Sequence, residues 1–171
     1  MAKTFHISAR VADKLKEAAE KASGTLKVGF IDSDQAMIAF WNEFGHGGRF
    51  PAPARPFFRT MVANESGKWP AMLATQLKRM RMDGKLALAQ VGSKIDSDLR
   101  KSIRDTSTPP LSPTTLRLRY KFWTNPEEIT FRDVVTASRE ARSGKPIATG
   151  TQANPLMWTK KMLEATTYKV E

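Results

Sequence analysis

"DGKLALAQVGSKIDSDLRKSIR", residues 83–104, decides how the rest of the chain is read. Leu88, Val91, Gly92, Ile95, Leu99 and Ile103 recur at helical spacing, while Lys94, Asp96, Asp98, Arg100 and Lys101 fall largely off that stripe. The pattern predicts one long amphipathic helix with its apolar side turned to a core. Gly92 within the stripe either lets another backbone approach closely or only weakens the helix, by about 1 kcal/mol relative to alanine. "DTSTPPLSP", residues 105–113, ends the helix, because proline cannot donate to the helical ladder and restricts the residue before it.

Working toward the N-terminus, "ARVADKLKEAAEKA" (9–22) carries Val11, Leu15, Ala18, Ala19 and Ala22 at helical spacing, with Ser8 as the expected N-cap and Gly24 as the expected stop. "KTFHIS" (3–8) reads as a short first strand, and "TLKVGFI" (25–31) as a strand with Leu26, Val28 and Phe30 on one face. "AMIAFWNEF" (36–44) is apolar throughout, so periodicity does not separate helix from strand, and burial is expected in either case. Beyond it, "FFRTMVANES" (57–66) is a short helix or strand. "KWPAMLATQLKRM" (68–80) reads as a helix with Ser66 as cap and Pro70 in the first turn.

On the C-terminal side, "TTLRLRYKFW" (114–123) is basic and aromatic, and residues 127–142 form a weakly periodic helix. "SGKPIATGTQANP" (143–155) is a loop, and the end of "LMWTKKMLEATTYKVE" (156–171) suits a closing strand. The order of elements is α+β in a single domain spanning 1–171, a length that supports one real core.

Hydrophobic residues are 40% and charged residues 26%, as in ordinary soluble domains. No apolar run reaches the roughly 18 residues that span a bilayer, and the N-terminus has no signal-peptide core, so no membrane association is expected. Zero cysteines exclude a disulfide framework and thiolate metal sites, and His6 and His46 lie too far apart in sequence to suggest zinc. The nucleotide-binding G-x-x-x-x-G-K-[ST] and hydrolase G-x-S-x-G patterns are absent. Asp96 and Asp98, two apart on a helix, do not face each other. No catalytic residue, metal or cofactor is assigned.

Net charge is +11, and residues 65–125 hold 12 basic against 5 acidic side chains. Such an excess favours a polyanion or an acidic protein surface. Arg117, Arg119 and Lys121, interleaved with Tyr120, Phe122 and Trp123, are the candidate polyanion contacts. The same pattern also fits arginine stems covering an apolar edge.

The other candidate site is "NEFGHGGRFPAPARPFFR", residues 42–59. Gly45, Gly47 and Gly48 permit a sharp turn, and Pro51, Pro53 and Pro56 then stiffen the chain. A stiff arm over residues 46–56 loses little entropy on docking. Phe50, Phe57 and Phe58 supply apolar area and Arg49, Arg55 and Arg59 forked donors, with Glu43 the nearest carboxylate and a salt bridge to Arg55 the expected root. The predicted subunit or partner interface is Glu43, Phe44, Gly45, Gly47, Gly48, Arg49, Phe50, Pro51, Pro53, Arg55, Pro56 and Phe57. Self-packing into the core is the competing reading for Phe57 and Phe58.

Gly29, Phe30, Asn42, Glu43, Phe44, Gly45, Pro53, Arg55, Pro56 and Phe57 together resemble the tail-completion, or head–tail joining, proteins of tailed bacteriophages and prophages. That family commonly carries a strand ending Gly-Phe, an apolar segment ending Asn-Glu-Phe-Gly, a variable loop, and Pro-x-Arg-Pro-Phe. "PPLSP" after the long helix and "KPIATG" before the last strand are similar to its later blocks, so the resemblance covers most of the chain. Residues 122–142 are longer and more helical than the family pattern, which marks 122–150 as a variable insertion.

The resemblance implies a small mixed, mostly antiparallel sheet packed by the N-terminal and long central helices, with a protruding Gly/Pro loop. It also implies a structural virion protein without enzymatic activity, typically a ring, often of six subunits, in the neck between connector and tail tube. The implied partners are other copies of itself, the head–tail connector or adaptor, and the tail tube or tail terminator. Genomic DNA would pass through the lumen without sequence-specific binding, and the protein would occupy the host cytoplasm during assembly. The rival expectation is a basic nucleic-acid-binding accessory protein.

Overall fold

The long helix predicted from residues 83–104 is the axis on which the other elements are placed. A computed structural model describes residues 9–31, 33–48, 51–147 and 153–171. The expected strand at 3–8, with His6 and the Ser8 cap, lies outside them, as do Arg49 and Phe50 of the docking loop. In chain order the elements are α1 (Ala9–Lys21), β1 (Leu26–Gly29), α2 (Gln35–Phe44), α3 (Phe57–Glu65), α4 (Trp69–Arg79) and α5 (Gly84–Asp105). These are followed by α6 (Pro113–Lys121), α7 (Phe131–Arg142), the short α8 (Lys161–Glu164) and β2 (Thr167–Val170). The architecture is α+β.

α5 begins where Asp83 accepts a hydrogen bond from the Leu86 backbone N–H, an N-cap that supplies one of the helix's orphan donors. Its stripe of Leu88, Val91, Ile95, Leu99 and Ile103 is buried as the periodicity predicts. Phe57 from α3 meets this stripe and is only 1% exposed; with Leu99 and Ile103 it is among the largest fully buried side chains. Phe30 packs edge-on against Phe57, with ring centroids 6.1 Å apart. Phe57 therefore belongs to the core rather than to an interface.

β1 and β2 pair antiparallel, Leu26 with Val170 and Gly29 with Thr167, and Thr25 and Glu171 extend the ladder by two backbone bonds of 2.9 Å. Among the described residues the sheet has these two strands. Such a ribbon is marginal alone, and α5 supplies its covering face. The contact is made at Gly92, where an added Cβ would lie 2.6 Å from the Tyr168 ring and 2.7 Å from Leu26. The glycine thus admits two side chains, and close backbone approach occurs instead at Gly84, where a Cβ would lie 2.5 Å from the Ala22 carbonyl carbon.

Two local expectations change. Residues 36–44 are not buried: α2 turns Ala39 and Glu43 inward, one helical turn apart, and leaves Met37, Ile38, Phe40, Trp41 and Phe44 exposed. Ser66 does not cap α4; it ends α3 and starts a 3-10 turn that leads into Trp69.

α6 and α7 form a helical pair. Ser112 caps α6 through the Thr115 N–H, and Thr130 and Asp133 form a reciprocal capping box at α7. A Lys121–Asp133 contact of 2.5 Å joins the two helices. Hydrogen bonds from Lys121 first, then from the Thr130 side chain and backbone, hold the Asp133 carboxyl down to about 2. No helix among the described residues is long and apolar enough to cross a membrane.

Candidate functional site

The loop between α2 and α3 is held at its base by the residues of the Asn-Glu-Phe-Gly and Pro-x-Arg-Pro-Phe segments. Asn42 donates its side-chain N–H to Ile38 O at 2.8 Å, and its carbonyl accepts from the Arg55 N–H at 2.6 Å. Gly45, at φ 73, passes so close to the returning chain that a Cβ would lie 2.7 Å from Ala54 N. Only glycine fits that combination of conformation and space. His46 and Ala52 then exchange two backbone hydrogen bonds of 3.0 Å. The loop is thus closed by pairing at His46 and Ala52 instead of leaving as a single extended arm, and Gly47, Gly48 and Pro51 are exposed.

Glu43 does not pair with Arg55. Its carboxylate, on a residue only 5% exposed, accepts from the Phe58 N–H at 2.8 Å, the Arg59 N–H at 3.1 Å and Arg59 Nε at 2.8 Å. One carboxylate from α2 therefore caps the first turn of α3, where orphan N–H groups and the helix dipole both favour negative charge. Arg59 also donates to Glu43 O at 3.0 Å and stacks over the Phe44 ring at 4.8 Å. Arg55 is buried and donates through Nε to Pro109 O at 3.1 Å; desolvation lowers its affinity for the proton. Glu43, Arg55 and Phe57 thus build the base of the loop, and of the expected contact residues that are described, Phe44, Gly47, Gly48, Pro51, Pro53 and Pro56 are exposed.

Beside this loop lies the outward face of α2. Met37, Ile38, Phe40, Trp41 and Phe44 stand about half-exposed or more along ten residues of helix. Phe40 and Phe44 pack on each other with centroids 4.8 Å apart, and Trp41 meets the His46 ring at 6.0 Å, which ties helix to loop. A groove of about 210 Å³ between Phe30, Phe40, Phe44 and Phe58 flanks one side. Another of about 340 Å³, lined by Ile38, Asn42, Leu156, Trp158 and Met162, flanks the other. Met37, Phe40, Trp41 and Phe44 follow an i, i+3, i+4, i+7 pattern that was available in the sequence but ordinarily marks a core face.

The basic segment 117–121 does not form a polyanion site. Arg119 is 4% exposed and donates to Asn154 O at 2.5 Å and Pro155 O at 2.6 Å, with its guanidinium 5.2 Å from the Trp158 ring centroid. Burial, with the Arg55 cation adding to it, pushes Arg119 down to about 10. Arg117 reaches Pro113 O, Lys145 O and Glu140, and Lys121 holds Asp133. The arginines tie α6 to the C-terminal segment and to the end of α7. Groups of three or more His, Cys, Asp or Glu placed to hold a metal are absent among the described residues.

Comparison of the chain with protein-family models, curated proteins and solved structures finds no match in any of the three.

Proposed function

We propose that this chain is a structural virion protein of a tailed bacteriophage, a tail-completion or head–tail joining subunit that works by assembling as a ring in the neck. Its partners are further copies of itself, the connector and the tail tube, with DNA passing through the lumen and no reaction catalysed. The observation that carries this reading is the exposed apolar face of α2 beside a closed, stiffened loop. Five half-exposed large side chains leave on the order of 500 Å² of apolar surface in one patch. That sits at the upper end for a monomer and marks an interaction site. A standard interface takes about 800 Å² per partner, so the loop and the two flanking grooves supply the remainder.

Two changes test it. Phe40→Glu with Trp41→Glu places charge on the face without touching the inward Ala39 and Glu43. Replacing Gly47–Pro51 by Asn-Gly closes the loop directly across the His46–Ala52 pair with a two-residue hairpin turn. Both variants are expected to fold as monomers and to fail to assemble or to complete tails, read by sedimentation and by complementation of a tail-defective lysate. Wild-type assembly by the charged α2 variant would overturn the proposal.

A further inference from the structure

The turn between α4 and α5 contains two consecutive non-glycine residues in the left-handed region, Arg81 at φ 51 and Met82 at φ 66. Met82 N–H donates to Leu77 O at 2.8 Å and Arg81 N–H to Lys78 O at 3.4 Å, the double closure by which helices end on a left-handed residue. Glycine or asparagine is the ordinary occupant, because a Cβ is strained there. An arginine and a methionine instead hold that conformation and point into solvent, so the turn presents side chains where the backbone would prefer none.

The turn also gathers four cations within eight residues. Lys78, Arg79, Arg81 and Lys85 are all exposed, and none has a carboxylate within ion-pair distance among the described residues. Asp83, the acid between them, is engaged with the Leu86 N–H. Elsewhere in residues 65–125, Lys68, Lys94, Arg100, Arg117 and Lys121 are paired with acids, and Arg119 is buried. Lys101 and Arg104 are the other free cations of residues 65–125, roughly 25 Å further along the α5 axis from Lys85, and exposed Arg132, Arg139, Arg142, Lys160 and Lys161 lie beyond that stretch. Arg81 and Lys85 rim a shallow depression of about 490 Å³, but Glu20 and Asp83 line it too, so an anion is met on the outer side of the turn.

We infer that residues 78–85 form a prong that contacts the sugar–phosphate backbone of nucleic acid. Four point charges within eight residues, with no aromatic platform among them, suit a polymer of repeating phosphates and carry no base readout. The inference goes beyond the assembly reading and stands or falls separately. Its strength is bounded: four phosphate contacts give a log–log salt slope of about −3.6, so affinity falls roughly a hundredfold between 50 and 200 mM salt. Such a contact guides a duplex without retaining it.

The test uses the full chain and a fluorescent 25-base-pair duplex of arbitrary sequence, with anisotropy followed from 50 to 200 mM NaCl. Arg79→Gln/Arg81→Gln is expected to reduce the slope by about two, whereas Lys101→Gln/Arg104→Gln leaves it unchanged. Arg81→Gly supplies a second readout. It relieves the left-handed strain and is expected to raise Tm by roughly 2–4 °C while lowering the slope by about one. Equal slopes for the two double variants, no binding at 50 mM, or no rise in Tm for Arg81→Gly would each overturn the proposal. So would poly-glutamate binding as tightly as DNA with the same sensitivity to Arg79→Gln/Arg81→Gln, which would make the turn a docking face for acidic protein.

Discussion

Glu43 holds Arg59 twice: one carboxylate oxygen accepts from the Arg59 backbone N–H at 3.1 Å and from its Nε at 2.8 Å. The backbone bond is half of the cap on α3, and the side-chain bond covers the carboxylate from solvent. The two have different values. Glu43→Ala removes both backbone caps and leaves the part-buried N–H groups of Phe58 and Arg59 without their carboxylate, at an expected cost of about 1–2 kcal/mol. Arg59 is mostly exposed along its side chain, so Arg59→Ala is expected to cost under about 1 kcal/mol. Urea unfolding of the two variants checks the order, and equal losses would remove the capping argument.

The glycines of α5 rank by what blocks the added methyl. At Gly84 the obstacle is the Ala22 backbone, which cannot yield without displacing the end of α1. At Gly92 it is the Tyr168 ring and the Leu26 side chain, which can shift. Gly92→Ala is expected to lose about 1–2 kcal/mol net of the gain in helix propensity, and Gly84→Ala more. Gly67→Ala, in open space, serves as the neutral control.

Acid sensitivity is predicted for the α6–α7 pair. The Asp133 carboxyl titrates near 2 when folded, against an ordinary value of 3.8. A depressed folded pKa gives stability that is present above 3.8 and lost as pH falls through about 2. Asp133→Asn removes that contribution at neutral pH, so its Tm deficit against the wild type should shrink between pH 5 and pH 2. A deficit constant over that range would show that Lys121 and Thr130 contribute nothing through charge.

Arg119 and Lys121 lie two residues apart and are expected to behave oppositely to their roles as equivalent cations. Arg119→Ala leaves the Asn154 and Pro155 carbonyls without donors and opens a space beside Trp158, at an expected cost of about 3 kcal/mol. Lys121→Ala loses an exposed ion pair and is expected to cost about 0.5 kcal/mol. Thermal melts distinguish them, and neither change is expected to alter the salt slope for DNA.

The long helix was legible because its signal is local: a periodic apolar stripe, a capping Asp83 and a closing proline run need no knowledge of the rest of the chain. β1, α4, α7 and the final strand were legible for the same reason, as was the need for glycine at 45. The orientation of α2 was not. Its large apolar residues Met37, Phe40, Trp41 and Phe44 share one helical stripe, and periodicity by itself assigns such a stripe to a core. The choice was made by α3, whose unpaired N–H groups draw Glu43 inward and take Ala39 with it, leaving Trp41 and Phe40 outside. The basic segment at 117–121 was misread for a related reason. Composition counts charge, but only tertiary packing decides which cations are spent on buried carbonyls and carboxylates. Arg119 was spent in that way, whereas Lys78, Arg79, Arg81 and Lys85 remain exposed and unpaired among the described residues.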